Sequence, residues 1–294
     1  MGRLRILHET HYTYDHPVGF GPQRLMIRPR DSHALRIVEA SLRLFPQGAT
    51  RWSYDANGNC VCIFQPSEGA DAMRVVSELV IDRYPAPLAL QRAEDPHTLT
   101  PIVYAQEDRL TLEPFIAPVT DDPDAELLRW LRSLPVHCDE PALAFLLRVN
   151  ELIHQQFDYV TREEEGVQSP VETLRRQSGA CRDLAWLMVE GLRRLGYAAL
   201  FATGYIHSPG AQIRGAGATH AWCEVFLPDL GWLEFDPTNG LAESPDLIRV
   251  AATRTPAQAL PVSGAIIGDP GAARLHVSVD VQLLDETDQT AVLK

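Results

Sequence analysis

Along the first hundred residues, apolar and polar positions alternate with a period of two. Leu4, Ile6, His8, Thr10 and Tyr12 fall on one side of an extended chain, and Arg5, Leu7, Glu9 and His11 on the other. Residues 34–45 (ALRIVEASLRLF) and 74–84 (RVVSELVIDRY) are further strand-like runs rich in branched side chains. Between them, Trp52 and Tyr54 lead through Asp55-Ala56-Asn57-Gly58-Asn59 into residues 60–64. This reads as a hairpin whose turn uses Asn57-Gly58, residues that tolerate positive φ. The pattern predicts an antiparallel, sandwich-like β domain over residues 1–115.

Prolines at 85, 87, 96, 101, 114, 118 and 123 then punctuate a connector in which missing donors and fixed φ handicap both helix and sheet. The boundary falls within it, and a second unit is expected over residues 116–294. There the period changes to that of a helix. AELLRWLRSL follows Asp121-Asp122-Pro123, an acidic cap with proline at the helix start, and residues 141–157 form a longer helix. SPVETLRRQ, residues 169–177, is a short capped helix leading into GACRDLAWLMVEGLRRLG, residues 179–196. In this last stretch Leu184, Leu187, Met188, Gly191, Leu192 and Leu195 recur at helical spacing, which places Cys181 in the first turn.

After it come a buried-type strand at 197–206, a loop in which Gly210, Gly215 and Gly217 imply a mobile rim, and the hairpin HAWCEVFL-PDLG-WLEFDPTNG. Parity puts His220, Trp222, Glu224 and Phe226 on one face of the hairpin, with Trp232, Glu234 and Asp236 on one face of the partner strand. Pairing Phe226 with Leu230 sets His220 directly opposite Asp236; pairing Phe226 with Gly231 opposes Asp236 to Ala221 instead. The first register is preferred because it collects Ala221, Cys223, Val225, Leu233 and Phe235 on a wholly apolar face. Near the end, LHVSVDVQL (275–283) alternates as a strand with Leu275, Val277, Val279, Val281 and Leu283 inward. Its sheet is left open, and the final residues are expected to fray.

At 294 residues and 45% hydrophobic, the chain is long enough for two cores. Its formal net charge of −13 argues against nucleic-acid or anionic-membrane partners. No apolar run reaches the roughly 18 residues of a membrane helix, and the opening residues do not resemble a signal peptide. Five cysteines, Cys60, Cys62, Cys138, Cys181 and Cys223, are an odd number and suggest free thiols in a reducing cytoplasm. Cys60 and Cys62 share a strand face and read as core residues, as do Cys223 and Cys138.

The chemistry gathers at Cys181. A helix start favours a thiolate through its unpaired N–H groups and dipole, and that thiolate is the nucleophile of covalent catalysis. His220 could take its proton and Asp236 could orient the imidazole. The N–H of Cys181 with a second donor, Gln177 or Trp222, could hold an oxyanion. Asp183 reads as support for the helix start. His154 reads as packing, and His8, His11 and His16 read as surface or packing residues and not metal ligands, since His8 and His11 point to opposite faces and His16 precedes Pro17 at the expected strand end. A zinc site from Cys181, His207, His220 and Cys223 matches none of the usual ligand spacings.

The segments GACRDLAWL, ATHAWCEVFLP and GWLEFDPTNG resemble the three motifs of the bacterial transglutaminase-like superfamily of papain-related cysteine enzymes. HETHYTYD and LMIRPR (25–30) resemble the β-rich N-terminal domain that accompanies it. The resemblance implies an α+β papain-like core with a Cys181, His220, Asp236 triad and no metal or other cofactor. It also implies chemistry on a peptide or protein amide through a thioester, with hydrolysis expected ahead of amine transfer or of a non-catalytic peptide-binding role. Where family members often carry Gly-Arg-Asp-Tyr after the aspartate motif, this chain has Thr253-Arg254-Thr255-Pro256.

Overall fold

A computed structural model describes residues 2–84, 98–134, 140–207 and 213–284. The residues Cys138, Gly210, Pro85, Pro87 and Pro96 and the tail expected to fray lie outside the described residues. The period-2 segments become strands β1 (Gly2–Leu25), β2 (Leu35–Phe45), β3 (Gly48–Tyr54), β4 (Cys60–Pro66) and β5 (Ala70–Arg83). The β3–β4 hairpin turns as expected at Asp55–Asn59, with Gly58 at φ 78°. β1 is longer than the alternation at 4–12 suggests and does not end at Pro17. Its pairing with β5 lapses between Thr13 and Val18, so Pro17 sits where no ladder N–H is required. Beyond the lapse β1 pairs with β4 from Gln23 to Leu25.

The proline-punctuated connector contains helix α1 (Gln106–Ile116), which the prolines had argued against; Pro114 falls in its last turn. Helix α2 (Glu126–Ser133) is capped from a distance. The Asp122 carboxylate accepts from the N–H groups of Glu126, Leu127 and Leu128. Then come α3 (Ala142–Gln156), the two-residue strand β6 (Asp158–Tyr159), α4 (Pro170–Arg176), the two-residue strand β7 (Ser178–Gly179) and α5 (Cys181–Arg194). An antiparallel sheet of order β11-β10-β9-β8-β12 completes the core, from β8 (Ala199–Ile206), β9 (His220–Leu227), β10 (Gly231–Asp236), β11 (Leu241–Ala242) and β12 (Leu247–Thr253).

The apolar hairpin face read from the sequence packs on α5. Ala221, Cys223, Val225, Leu233 and Phe235 share one buried cluster with Leu184, Leu187, Met188 and Leu192. Burial of each large side chain in such a cluster is worth about 1.5–3 kcal/mol, so this core fixes the helix that begins with Cys181 relative to the sheet that begins β9 with His220. Cys60, Cys62 and Cys223 are free, buried thiols, as their faces implied.

The last two strands, β13 (Val262–Ile267) and β14 (Ala273–Leu283), return to the N-terminal sheet, where both pair with β1. The unit expected over residues 116–294 thus lends its C-terminal end to the other sheet. The β14 parity holds, yet Leu275 and Leu283 are each 56% exposed and only Val279 is fully buried, because the cover over this strand is short. Val279 joins Leu4, Ile6, Leu79 and Ile81 of the N-terminal sheet and Tyr205, Ile248 and Val250 of the second sheet in a single cluster. Polar groups seal the same junction. The Tyr205 hydroxyl donates to Ile27 O at 2.8 Å and meets His8 Nδ1 at 3.0 Å. Asn59 exchanges two hydrogen bonds of 2.9 Å with the backbone of Ala252. Burial lowers His8 to about 4, so it is a neutral packing imidazole, as its position suggested.

Tyr205→Phe would leave Ile27 O and His8 without this buried partner, and the expected loss of stability is about 1–3 kcal/mol. Urea denaturation of the two proteins measures it; equal midpoints would mean that the hydroxyl contributes nothing to the junction.

Candidate active site

Cys181 is the first helical residue of α5 and is half-buried. The chain reaches it through a parallel bridge in which Asp158 pairs with Ser178 and Tyr159 with Gly179. Ala180, at the N-cap, has no side-chain acceptor, and Asp183 supplies one instead. Its buried carboxylate accepts from Ala180 N–H at 2.9 Å, Gln168 N–H at 2.8 Å and Arg162 Nη1 at 2.8 Å. A Cβ at Gly179 would lie 2.7 Å from that of Asp183, so the close turn before Cys181 requires glycine. Asp183 therefore braces the helix start, the role its position indicated, and the first turn of α5 directs backbone N–H groups toward the thiol side.

His220 opens β9 and Asp236 ends β10. The observed register pairs Leu227 with Gly231 and Phe226 with Trp232, neither of the two weighed from the sequence. The loop still has three residues but starts one position later, with Gly231 at φ 81° closing it. Relative to the preferred register each pairing has moved by two, which preserves the face. Asp236 accordingly stands diagonal to His220, and the imidazole spans the difference: Nε2 lies 2.8 Å from Asp236 Oδ2. Both side chains are fully buried.

Burial disfavours the imidazolium, but the Asp236 carboxylate and then the Cys181 thiol outweigh it and raise His220 to about 10. Burial likewise opposes ionisation of Asp236, yet His220, Asn239 and the Thr238 N–H hold its carboxyl below the usual range. With Nε2 committed to Asp236, Nδ1 is the nitrogen left for Cys181. It makes no hydrogen bond to any described residue.

The two candidate oxyanion donors are placed differently from the expectation. Gln177 is exposed at the left-handed C-cap of α4, and its amide donates to Leu174 O at 2.8 Å. Trp222 is wholly buried, and its ring lies 6.2 Å from that of His220, inclined by 28°, as a wall. The Gln177 amide is thus engaged within its own helix, whereas Trp222 Nε1 is buried and has no hydrogen-bond partner. His154, read as packing, also bonds through Nδ1 to Thr238 O at 2.9 Å. His207 pairs with Asp246 at 3.2 Å, and no metal-holding cluster of His, Cys, Asp and Glu occurs among the described residues.

Tyr159 and Asn239 have no assigned role in the sequence reading, and Gly215, expected only as part of a mobile rim, lies against His220. Burial, followed by the Cys181 charge, pushes the Tyr159 phenol upward. Gly215, at φ 84°, lies so close to His220 that a Cβ there would be 2.9 Å from Nδ1 and 3.6 Å from Tyr159 Oη. Asn239 bonds to Asp236. The tail Pro237-Thr238-Asn239-Gly240 had the composition of a turn, which was the one available signal. Tyr159 and Gly215 act through contacts between distant segments.

At the other end of the same sheet face, Glu224 and Glu234 are direct cross-strand neighbours. Burial first, then Glu224 and Glu243, raise Glu234 to about 8. The native state thus keeps a proton that the unfolded chain releases above its ordinary value of 4.5, and this group makes stability fall as pH rises from about 4.5 to about 8. Glu234→Gln should flatten that fall. Urea midpoints at about pH 5 and about pH 8 measure it, and an unaltered pH dependence would contradict a protonated Glu234.

The profile of the bacterial transglutaminase-like N-terminal region matches residues 4–82, and that of the transglutaminase-like superfamily matches residues 133–237. An uncharacterised protein of Mycobacterium tuberculosis is 30% identical over 297 residues, covering 95% of this chain and 92% of the relative. One of Mycobacterium leprae is 23% identical over 287 residues, covering 97% and 100%. In structure the chain is similar to a protein of Cytophaga hutchinsonii described as a candidate cysteine protease. The TM-score is 0.73 at 18% identity, covering 97% of this chain and 91% of that one, a likeness of fold. Family and fold together support a cysteine-dependent enzyme. Both matched regions, the α+β core and its β-rich partner sheet lead to one assignment: the chain belongs to the transglutaminase-like superfamily.

Proposed function

We propose that the protein is a cysteine-dependent enzyme that cleaves amide or peptide bonds, with Cys181 as nucleophile, His220 as base and acid, and Asp236 as orienter. The observation that carries this reading is the buried 2.8 Å bond from His220 Nε2 to Asp236, which leaves the other ring nitrogen for the thiol at the start of α5. Asp236 fixes the tautomer and favours the imidazolium, so the Cys181 proton resides on Nδ1 and a thiolate–imidazolium pair forms. The thiolate sulfur attacks the amide carbonyl, and a C–S bond forms as the carbonyl π pair moves to oxygen. Backbone N–H groups of the first turn of α5 are suited to hold that oxyanion. Collapse breaks the C–N bond, the amine leaves with the Nδ1 proton, and a thioester on Cys181 remains. Water, deprotonated by the neutral imidazole, then attacks the thioester carbonyl; collapse breaks the C–S bond, releases a carboxylic acid and restores the Cys181 thiolate beside the imidazolium. Hydrolysis is the favoured second half because water needs no dedicated acceptor site, whereas an amine acceptor would give the transglutaminase outcome.

Iodoacetamide at neutral pH should label Cys181 ahead of the three buried thiols Cys60, Cys62 and Cys223. Asp236→Ala should slow that labelling by roughly tenfold or more while the protein stays folded, as the thiolate fraction falls toward that of an ordinary cysteine. Labelling of Cys181 at the rate of an unfolded cysteine would remove the activated thiolate. A peptide and amide library, read by mass spectrometry for an acyl adduct on Cys181 with and without added amine, tests the chemistry. Product carboxylate in the presence of excess amine supports hydrolysis, and amide product overturns it in favour of transfer.

A further inference from the structure

We infer that Asn239 is a positioning residue, and that through it the segment from Arg214 to Gly217 is held in fixed relation to the His220–Asp236 pair. The inference rests on the reading of Cys181, His220 and Asp236 as the reacting set. The Asn239 amide makes three bonds at once. Nδ2 donates to Asp236 Oδ2 at 2.8 Å, the same oxygen that faces His220 Nε2, and also to Arg214 O at 3.2 Å. Oδ1 accepts from Arg214 N–H at 2.9 Å. One planar amide therefore grips both backbone groups of Arg214 while it polarises the carboxylate that orients the imidazole.

The next residue in the gripped segment is Gly215, whose backbone fills the space beside His220 Nδ1 and Tyr159 Oη. At the far end, Gly217 O accepts from the N–H of Val279 at 2.9 Å, so β14, paired to the N-terminal sheet, holds the segment's other end. Asn239 itself is fixed from α3. His154 binds Thr238 O, Asn150 Nδ2 donates to Leu241 O at 3.0 Å, and a Cβ at Gly240 would sit 3.1 Å from Glu151. A wall beside the reacting nitrogen is thus tied to the carboxylate on the opposite edge of the same imidazole. The segment cannot withdraw from Nδ1 without breaking bonds that also reach Asp236.

The titratable or charged groups around this pair are Cys181 from α5, Tyr159 from β6, His154 from α3 and the guanidinium of Arg214, whose Nη1 is 3.5 Å from Thr238 O. Removing the Asn239 amide takes one donor from Asp236 Oδ2, so the carboxylate should protonate at higher pH and release the imidazolium sooner on acidification.

The test is the pH profile of iodoacetamide labelling at Cys181 in the full chain, for wild type, Asn239→Ala and Asn239→Leu. Leucine keeps the side-chain volume, so an effect common to both variants belongs to the amide and not to a cavity. The expected result is labelling slower by roughly ten- to hundredfold at neutral pH, with the acid limb of the profile moved to higher pH in both variants. Asn239→Ser provides the same readout if either variant fails to fold. Profiles that superimpose on wild type, while Asp236→Ala still slows labelling, would overturn the role of Asn239 and leave the reacting set standing. Wild-type labelling no faster than that of an unfolded cysteine would instead overturn the reading on which the inference rests.

Discussion

An imidazole and a carboxylate held together out of water at the open ends of two strands is the constraint around which this structure is arranged. An ion pair in such a place is stable only when its remaining polar atoms are also satisfied. Asp236 meets that condition with Oδ1 on Thr238 N–H at 2.9 Å and Oδ2 shared between His220 and Asn239. Each of these donors must be fixed in turn, which explains why the short turn after β10 is bonded to α3 on one side and to the segment at Arg214 on the other. The apolar reverse of the same hairpin packs on α5, so the core that stabilises the fold also sets the distance between the helix start and the strand start.

The N-terminal sheet is an integral part of this arrangement. It shares a hydrophobic cluster with the second sheet, and Tyr205, Asn59 and Arg83 bind backbone groups across the junction. It also receives β13 and β14, so the chain crosses back after the catalytic sheet is complete. Val279 of β14 then reaches Gly217, two residues from the glycine against His220. The physical link from the first strand of the chain to the His220 imidazole is thus β1 to β14 to the segment ending at Gly217.

The sequence was most informative where a periodic signal and a chemical signal coincided. Strands β2, β4 and β5, helices α3, α4 and α5 and the apolar face of β9 and β10 followed from periodicity, although α5 is buried all round from Asp183 to Arg193 and β2 buries only Leu35. Helix α1 was hidden by the prolines around it; Pro114 falls late in that helix, and α1 buries only Leu112. The length of β1 was hidden by Pro17, which an interrupted ladder tolerates. The ends of β14 were overestimated because alternation reports which residues share a face and not whether anything covers it. The turn at Asn239 and the glycine-rich rim at Gly215 were visible as loops, but their bonds to Arg214 and contact with His220, and the place of Tyr159, depend on segments brought together only by the fold.

The hairpin register shows why the meeting of His220 and Asp236 was readable although their pairing was not. Turn chemistry decides where a three-residue loop begins, and here Gly231 accepts the positive φ that closes it. A slip by one residue would have moved Asp236 to the apolar face and destroyed both the core and the pair. A change of two keeps every side chain on its face and asks only that the imidazole reach diagonally. Face parity is therefore the robust part of such an inference, because a whole hydrophobic core enforces it, whereas exact opposition rests on one turn. The same asymmetry separates His220 and Asp236 from Gln177 and Trp222. The first two were placed by a face that a core enforces, while a role for the others required a side-chain direction that no periodic pattern encodes. Gln177 turned back to cap its own helix and Trp222 turned inward beside the imidazole.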